Sequence, residues 1–446
     1  MPGKLSGKNI AIVGGGFTGL TAAYKMSQLG ARVTIFEAGN VLGGLAAGCT
    51  ILDTPVEKAY HFLYKTDKHM IRLLEELGLR DKLTYYKSSV STYYGNQLYP
   101  MMNPIDLIKF LPLKFHNRIR AGLVVLYLQN VKNWRKLAEI SAMEWLTKFA
   151  GKQVTDVIWE PLLRGKFDVY FDKVTMAWLW GRIKQRVDSR DKKAKGEVLG
   201  YIDGGFATIV KELIKKIEET GLAKFELNTP INMIEHYSEN DAVKVTANNK
   251  DLTFDGVLLT VSCKVAERIL QNFKNSNAGY FQKLEGIKYL DAAILLFATD
   301  KPITKYYWHN INAPNSPFVV FLSLTSLIGC DRFKGKHIYY IGDYILSDHP
   351  HMNISEEDLE ESWFKSLQKM FPDFDLASVL EKKVYRFKDA QHIVDVGFED
   401  KIPEYQTPCP EVYLCNFSQI YPMDRGTNYA VRDGFRMAEL FEKRYG

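Results

Sequence analysis

Lys8-Asn9-Ile10-Ala11-Ile12-Val13-Gly14-Gly15-Gly16-Phe17-Thr18-Gly19-Leu20 decides how the remainder of this chain is read. Ile10 to Val13 is a short apolar run that suits a buried strand, and Gly14, Gly16 and Gly19 follow it at G-x-G-x-x-G spacing. Gly14 permits a sharp turn, Gly16 lets a pyrophosphate approach bare backbone, and Gly19 lets the next helix pack close on the strand. The amides that open that helix, at Phe17 and Thr18, then face the phosphates. A second apolar strand, 32–36, ends in Glu37, where a carboxylate can take both hydroxyls of an adenosine ribose. Strand, turn, helix, strand and acid make a complete βαβ mononucleotide-binding unit.

The chain has 446 residues, enough for two or three domains, and its 46% hydrophobic and 25% charged residues are ordinary globular values. Fifty-eight basic against fifty-two acidic residues leave a formal charge of +6, too mild to argue for nucleic acid. The basic run Lys184 to Lys195 is read as a solvated loop. Five cysteines without a C-x-x-C pair imply a reduced, cytoplasmic protein with no structural zinc. No apolar run reaches the length of a membrane span, so a soluble protein is expected.

Along the chain, 67–79 reads as an amphipathic helix capped by Thr66 or Asp67 and stopped by Gly78. Residues 90–100 read as a hairpin around Gly95-Asn96. Helical periodicity runs from Asn103 to about Arg190, with Pro104 at a helix start, and Trp159 to Phe167 reads as a helix broken by Pro161 and Gly165. A helix is expected from Thr208 to Glu219, a strand over 226–234, a hairpin and strand over 243–261, and several strands between Gly286 and Tyr344. A last strand, 411–416, precedes a helix from Val431 to Tyr445.

Behind Glu37 stands Ala38, and then a second glycine pair, Gly43-Gly44, followed by Leu45, which a plain NAD-binding unit does not need. This order resembles the FAD-binding N-terminus of the amine oxidase and protoporphyrinogen oxidase superfamily. The resemblance implies that Gly43, Gly44 and Leu45 pass beside the ribityl chain and flavin. It sets Tyr60-His61-Phe62 on the approach to the reactive side of the isoalloxazine, with His61 either an acid/base group there or a hydrogen-bonded core histidine. Arg164 falls in a segment similar to one that lines the family's substrate cavity, where it would hold a carboxylate or phosphate, or else form a surface ion pair. Ile231 matches the residue that reads adenine through its backbone, and Gly426, Thr427, Asn428 and Tyr429 match a second cofactor loop at a helix N-terminus. The Gly-Asp that usually ends the strand before that loop is here Cys415-Asn416. Amine-oxidising members carry a lysine on the strand matched to 291–297, and this chain has Ala292 there, with Lys288 just upstream.

The expected fold is therefore α/β: a discontinuous Rossmann-like FAD-binding domain (1–90, 196–270 and 385–446) with an inserted α+β substrate domain, helical over 91–195 and a mixed sheet over 271–384. The expected activity is FAD-dependent oxidation of a small molecule by hydride transfer to flavin N5, closer to protoporphyrinogen oxidases and desaturases than to lysine-dependent amine oxidases. The alternatives are a redox-neutral mutase similar to UDP-galactopyranose mutase, disfavoured because no paired-arginine segment is evident, and a flavoprotein that binds a partner without turnover. FAD is expected without a covalent link; the sequence does not reveal the oligomeric state.

Overall fold

The computed structural model describes residues 3–190, 196–237, 242–313 and 316–446; residues 191–195, the end of the basic run, lie outside them. Asn9–Val13 is the central strand of a five-stranded sheet in the order Val412–Leu414, Gly256–Leu259, Asn9–Val13, Arg32–Phe36, Ala223–Glu226, with every pairing parallel. Side chains alternate across a strand. Ile10 and Ile12 enter a core with the helices Phe17–Gln28, Phe206–Glu218 and Thr427–Tyr445. Ala11 and Val13 enter a second core beneath an antiparallel sheet of Ile231–Tyr237, Ala242–Ala247 and Lys250–Phe254, where Phe36 meets Phe254 edge to face at 5.9 Å. A strand covered on both faces must be apolar at every position, and Ile10 to Val13 is.

The strand expected over 226–234 is two strands, Ala223–Glu226 and Ile231–Tyr237. Asn228 between them takes a left-handed φ of 51°, and Pro230 has no N–H for a ladder, so the chain leaves one sheet and starts the next. The last helix begins at Thr427, earlier than expected, and the helix after the Gly204-Gly205 turn begins at Phe206.

The second large sheet has seven strands, in the order Val379–His392, Tyr289–Thr299, His337–Ile345, Val320–Ser323, Trp308–Ile311, Val90–Tyr94, Gln97–Pro100. The hairpin at 90–100 forms as expected, with Gly95 and Asn96 both at positive φ (55° and 60°), the geometry of a tight hairpin turn. Its first strand pairs in parallel with Trp308–Ile311, so by pairing it belongs with the mixed sheet and not with the helices. The same sheet runs on to His392, past the boundary expected at 384. One face packs on the helix Glu356–Met370 through Phe297, Tyr339 and Trp363. The other face, through Leu296 and Tyr340, packs on the segment containing Val56, Tyr64 and Tyr201, and so turns toward the nucleotide-binding part.

Helices fill 104–188. Asn103 and Asp106 form a capping box around Pro104 at the first helical turn. Glu160–Phe167 is one unbroken helix, contrary to the expected interruption: it continues directly from a π-helical turn over Thr155–Trp159, and that wider turn accommodates Pro161, which has no N–H to donate to the turn before it.

Candidate active site

The glycine turn works by close approach. Gly14 has φ 110°, and a Cβ on Gly19 would stand 2.1 Å from the Gly14 carbonyl oxygen. A Cβ on Gly16 would meet nothing nearer than the Gly44 Cα at 4.0 Å, so the space in front of Gly16 is left free by the protein. Gly16 forms a bridge with Gly43, and the Gly43 N–H donates to the Gly15 carbonyl at 2.8 Å, which brings the two glycine pairs together. No side chain caps the helix that starts at Phe17, so its first amides are available to an anion. The Phe17 ring itself is buried against Phe206. Thr18 is half-buried, Ala38 is exposed, and Leu45 is half-buried in a short turn.

Glu37 accepts the N–H groups of Gly15 and Gly39, both at 2.8 Å, which fixes the carboxylate at the strand end while leaving lone pairs for ribose hydroxyls. The N–H of Thr229 donates to the Glu37 carbonyl at 2.9 Å, so the loop before Ile231 is tied to the same place. Ile231 is buried, and its carbonyl accepts from Arg268 at 3.4 Å. Free space at Gly16, uncapped amides and a fixed carboxylate suit the adenosine diphosphate half of a dinucleotide.

The second loop converges on the first because the helix Thr427–Tyr445 crosses Phe17–Gln28 at Gly434, where a Cβ would stand 2.7 Å from the Thr18 carbonyl oxygen. Gly426 precedes this helix with no side-chain cap. Asn428 turns its side chain away: its Oδ1 accepts the N–H groups of His69 (2.9 Å) and Met70 (3.1 Å) and so anchors the helix Lys68–Glu76. Asn416, in place of the usual aspartate, caps the turn after its own strand and donates to the Val261 carbonyl at 2.7 Å, so its polar atoms are spent on the fold.

Gly426 to Tyr429 and Tyr60 to Phe62 open on a cleft of about 480 Å³ between the helices and the mixed sheet. Most of its wall is apolar, with Met101, Leu107, Val125, Leu163, Trp308 and Val320 among its residues. Gly14 to Leu45 are outside this wall. His61 lies in it. The buried Glu57 carboxylate accepts the Phe206 N–H at 2.6 Å and the Tyr201 hydroxyl at 2.9 Å, holding a helix start beside this segment, and the His61 ring meets Phe206 at 5.3 Å. His61 Nδ1 lies 2.8 Å from the Ala59 carbonyl, which can only accept, so Nδ1 carries the proton and Nε2 the free lone pair. Burial lowers the imidazole to about 4, so it is neutral at pH 7.

Arg164 is not in the cleft wall. Its side chain is 52% exposed, its Nε pairs with Glu160 at 2.7 Å one helical turn back, and its guanidinium lies over Phe171. The unbroken helix turns Arg164 outward and Lys166 inward. Lys166 Nζ contacts Asp424 Oδ2 at 3.0 Å, Arg182 Nη1 reaches the same oxygen at 3.3 Å, and Trp178 Nε1 donates to Oδ1 at 3.3 Å. Burial opposes charge on Asp424, but Lys166, Arg182 and Arg425 outweigh it and hold the carboxylate below its usual range. Arg425 donates to Gln391 at 2.9 Å and to the Tyr344 hydroxyl at 3.0 Å. Burial resists ionisation of Tyr344, yet Arg425 and Lys166 keep its phenol below the ordinary tyrosine value.

Two features escaped the sequence reading. Asp67, expected with Thr66 as one of two alternative helix caps, stands at the N-cap position but its side chain makes no capping bond: its carboxylate accepts the Tyr64 N–H at 2.8 Å and faces the cleft, where burial lifts it from 3.8 to about 7. Arg182, Arg186 and Arg190 line the cleft together with Arg425, which corrects the expectation of no paired arginines. Arg182 and Arg186 are one turn apart on the helix Met176–Asp188, a spacing visible in the sequence, but only the packing turns that face inward.

A family model for flavin containing amine oxidoreductases matches residues 17–439. The mitochondrial protoporphyrinogen oxidase of Nicotiana tabacum is 23% identical over 343 residues, covering 68% of this chain and 67% of that protein. A 15-cis-phytoene desaturase of Glycine max is 19% identical over 407 residues, covering 86% of this chain and 70% of that protein. The solved structure of cyclohexylamine oxidase from Brevibacterium oxydans matches with a TM-score of 0.75 at 14% identity over 98% of this chain and 99% of its own, a likeness of fold. The match over nearly its whole length means that the chain belongs to the flavin containing amine oxidoreductases, and it is an FAD-dependent oxidoreductase.

Proposed function

We propose that the chain oxidises a largely apolar small molecule, as its relatives named protoporphyrinogen oxidase and phytoene desaturase suggest, without the lysine of amine-oxidising members. The observation that carries this is the strand Tyr289–Thr299: Ala292 stands at the matched position, paired with Tyr344, and Lys288 is exposed over the Tyr170 ring. Bound FAD supplies the hydride acceptor at N5. The protein's part is binding, orientation and proton handling. The apolar wall excludes water from the substrate, and the loop Gly426 to Tyr429 offers its amides to the flavin's pyrimidine end. Nε2 of neutral His61 accepts a hydrogen bond or a proton, and Asp67, half-protonated near neutrality, gives or takes one. Gly14, Gly16, Gly19 and Glu37 would hold the adenosine diphosphate, and the Gly43-Gly44-Leu45 loop, bridged to Gly16, would contact the ribityl chain. Mixing the oxidised holoenzyme anaerobically with porphyrinogens or polyenes tests the reading: the oxidised flavin band bleaches with the true substrate.

One observation favours a second reading. Arg182, Arg186, Arg190 and Arg425 give the cleft the cations that a nucleotide-sugar diphosphate needs, so a redox-neutral mutase stays in the test. Turnover of a nucleotide sugar only by the pre-reduced enzyme would sink the oxidation reading.

A further inference from the structure

We propose that the outer face of residues 104–136 docks on the surface of an anionic lipid bilayer. Of the eighteen exposed large apolar residues among the described residues, eight fall between Ile105 and Tyr127. Within the helix Phe115–Asn130, Phe115, Ile119, Leu123, Leu126 and Tyr127 recur at helical spacing along one side, and Leu111, 71% exposed, extends the stripe in front of it. The opposite side of the same helix is already buried through Ala121, Val124 and Leu128. The helix therefore carries two apolar faces, and the fold covers one.

Charge selects the partner. Residues 104–136 hold seven basic residues and one acidic residue, Asp106, a net charge as large as the +6 of the entire chain. The Asp106 carboxylate is taken up by the cap at Asn103, while Lys109, Lys114, Lys132 and Lys136 are exposed. Arg118 donates to the carbonyls of Ile108 and Leu113, both at 2.7 Å, which locks the two helices into one surface. Exposed apolar side chains on a stretch this rich in exposed lysine and arginine match a layer of anionic headgroups over hydrocarbon. A second copy of this chain fits worse, because a two-fold contact would set the same cations against one another. No helix among the described residues is long and apolar enough to cross a membrane, so the contact is one of lying on the bilayer. Leu107, Ala121 and Val125 on the inner side of these helices belong to the cleft wall. The proposal rests on the surface and not on the identity of the substrate.

Flotation of the holoenzyme with phosphatidylcholine vesicles, with and without phosphatidylglycerol, tests it. The protein should float with the anionic vesicles, and raised salt or omission of phosphatidylglycerol should weaken binding roughly ten-fold. Leu123→Gln with Leu126→Gln should lower binding to anionic vesicles by about ten-fold or more while flavin content and melting temperature stay unchanged, since both side chains are exposed. Lys109→Glu with Lys114→Glu should abolish the preference for the anionic lipid. Absence of flotation at low salt, or equal flotation of the apolar variant, would overturn the proposal. So would a stable dimer in light scattering that Leu123→Gln with Leu126→Gln dissociates, which would give the face to a second copy.

Discussion

Lys166 Nζ lies 3.0 Å from Asp424 Oδ2, joining two residues 258 positions apart and coupling a helix of the cleft wall to the loop that starts the last helix. Asp424 also pairs with Arg182, so one buried carboxylate is shared by two half-buried cations. Removing one partner of a buried pair leaves the others desolvated and unpaired. Asp424→Ala should therefore cost about 3–5 kcal/mol in urea unfolding, and Lys166→Met in the same background should recover part of it. Independent, additive losses in the double variant would show that the pair is not coupled.

Gly16→Val and Gly19→Val should differ in kind. At Gly16 the added atoms enter space that the protein leaves open, so the variant should fold with near-normal helix content and fail to hold FAD. At Gly19 they run into the Gly14 carbonyl, and the variant should lose soluble, cooperatively folding protein. Flavin absorbance against circular dichroism separates the two, and a yellow Gly16→Val protein would contradict the assignment of the pyrophosphate to this turn.

Asp67 makes stability depend on pH with a definite sign. Its carboxyl titrates near 7 in the native protein and at 3.8 ordinarily, chiefly through burial. Between these values the native state keeps a proton that the unfolded chain has lost, so stability falls as pH rises through that window. Asp67→Asn, which keeps an acceptor for the Tyr64 N–H, should be more stable than the parent by about 2–4 kcal/mol at pH 8, with the difference gone near pH 4. Urea melts across this range check it; a variant less stable at pH 8 would refute the buried, protonated carboxyl.

Arg164→Ala should change neither flavin content nor turnover, and stability by less than about 1 kcal/mol, because its pair with Glu160 is solvent-exposed. Lys166→Ala should impair turnover, since this side chain faces the cleft and neutralises Asp424. Steady-state assays on the two variants with one substrate decide it, and the reverse order of effects would restore Arg164 to the site.

The sequence by itself determined the parts whose chemistry is local. The turn at Gly14, the close packing at Gly19 and the carboxylate of Glu37 are consequences of a few neighbouring residues, so spacing alone was enough to read the nucleotide-binding unit. The hairpin at Gly95-Asn96 was legible for the same reason, since two residues at positive φ fix it. Only the tertiary structure decided which side of a helix meets the cleft. Arg164 and Lys166 are two residues apart and look alike in sequence, but in a helix such a step turns a side chain by about half a circle, and the packing sent Lys166 inward to Asp424. Asp67 reads as a cap until its carboxylate is found turned back to Tyr64 beneath the cleft, because burial is a property of what other segments cover. The cations of the cleft come from 166–190 and from Arg425, and they become one electrostatic site only when helix packing brings these distant segments together.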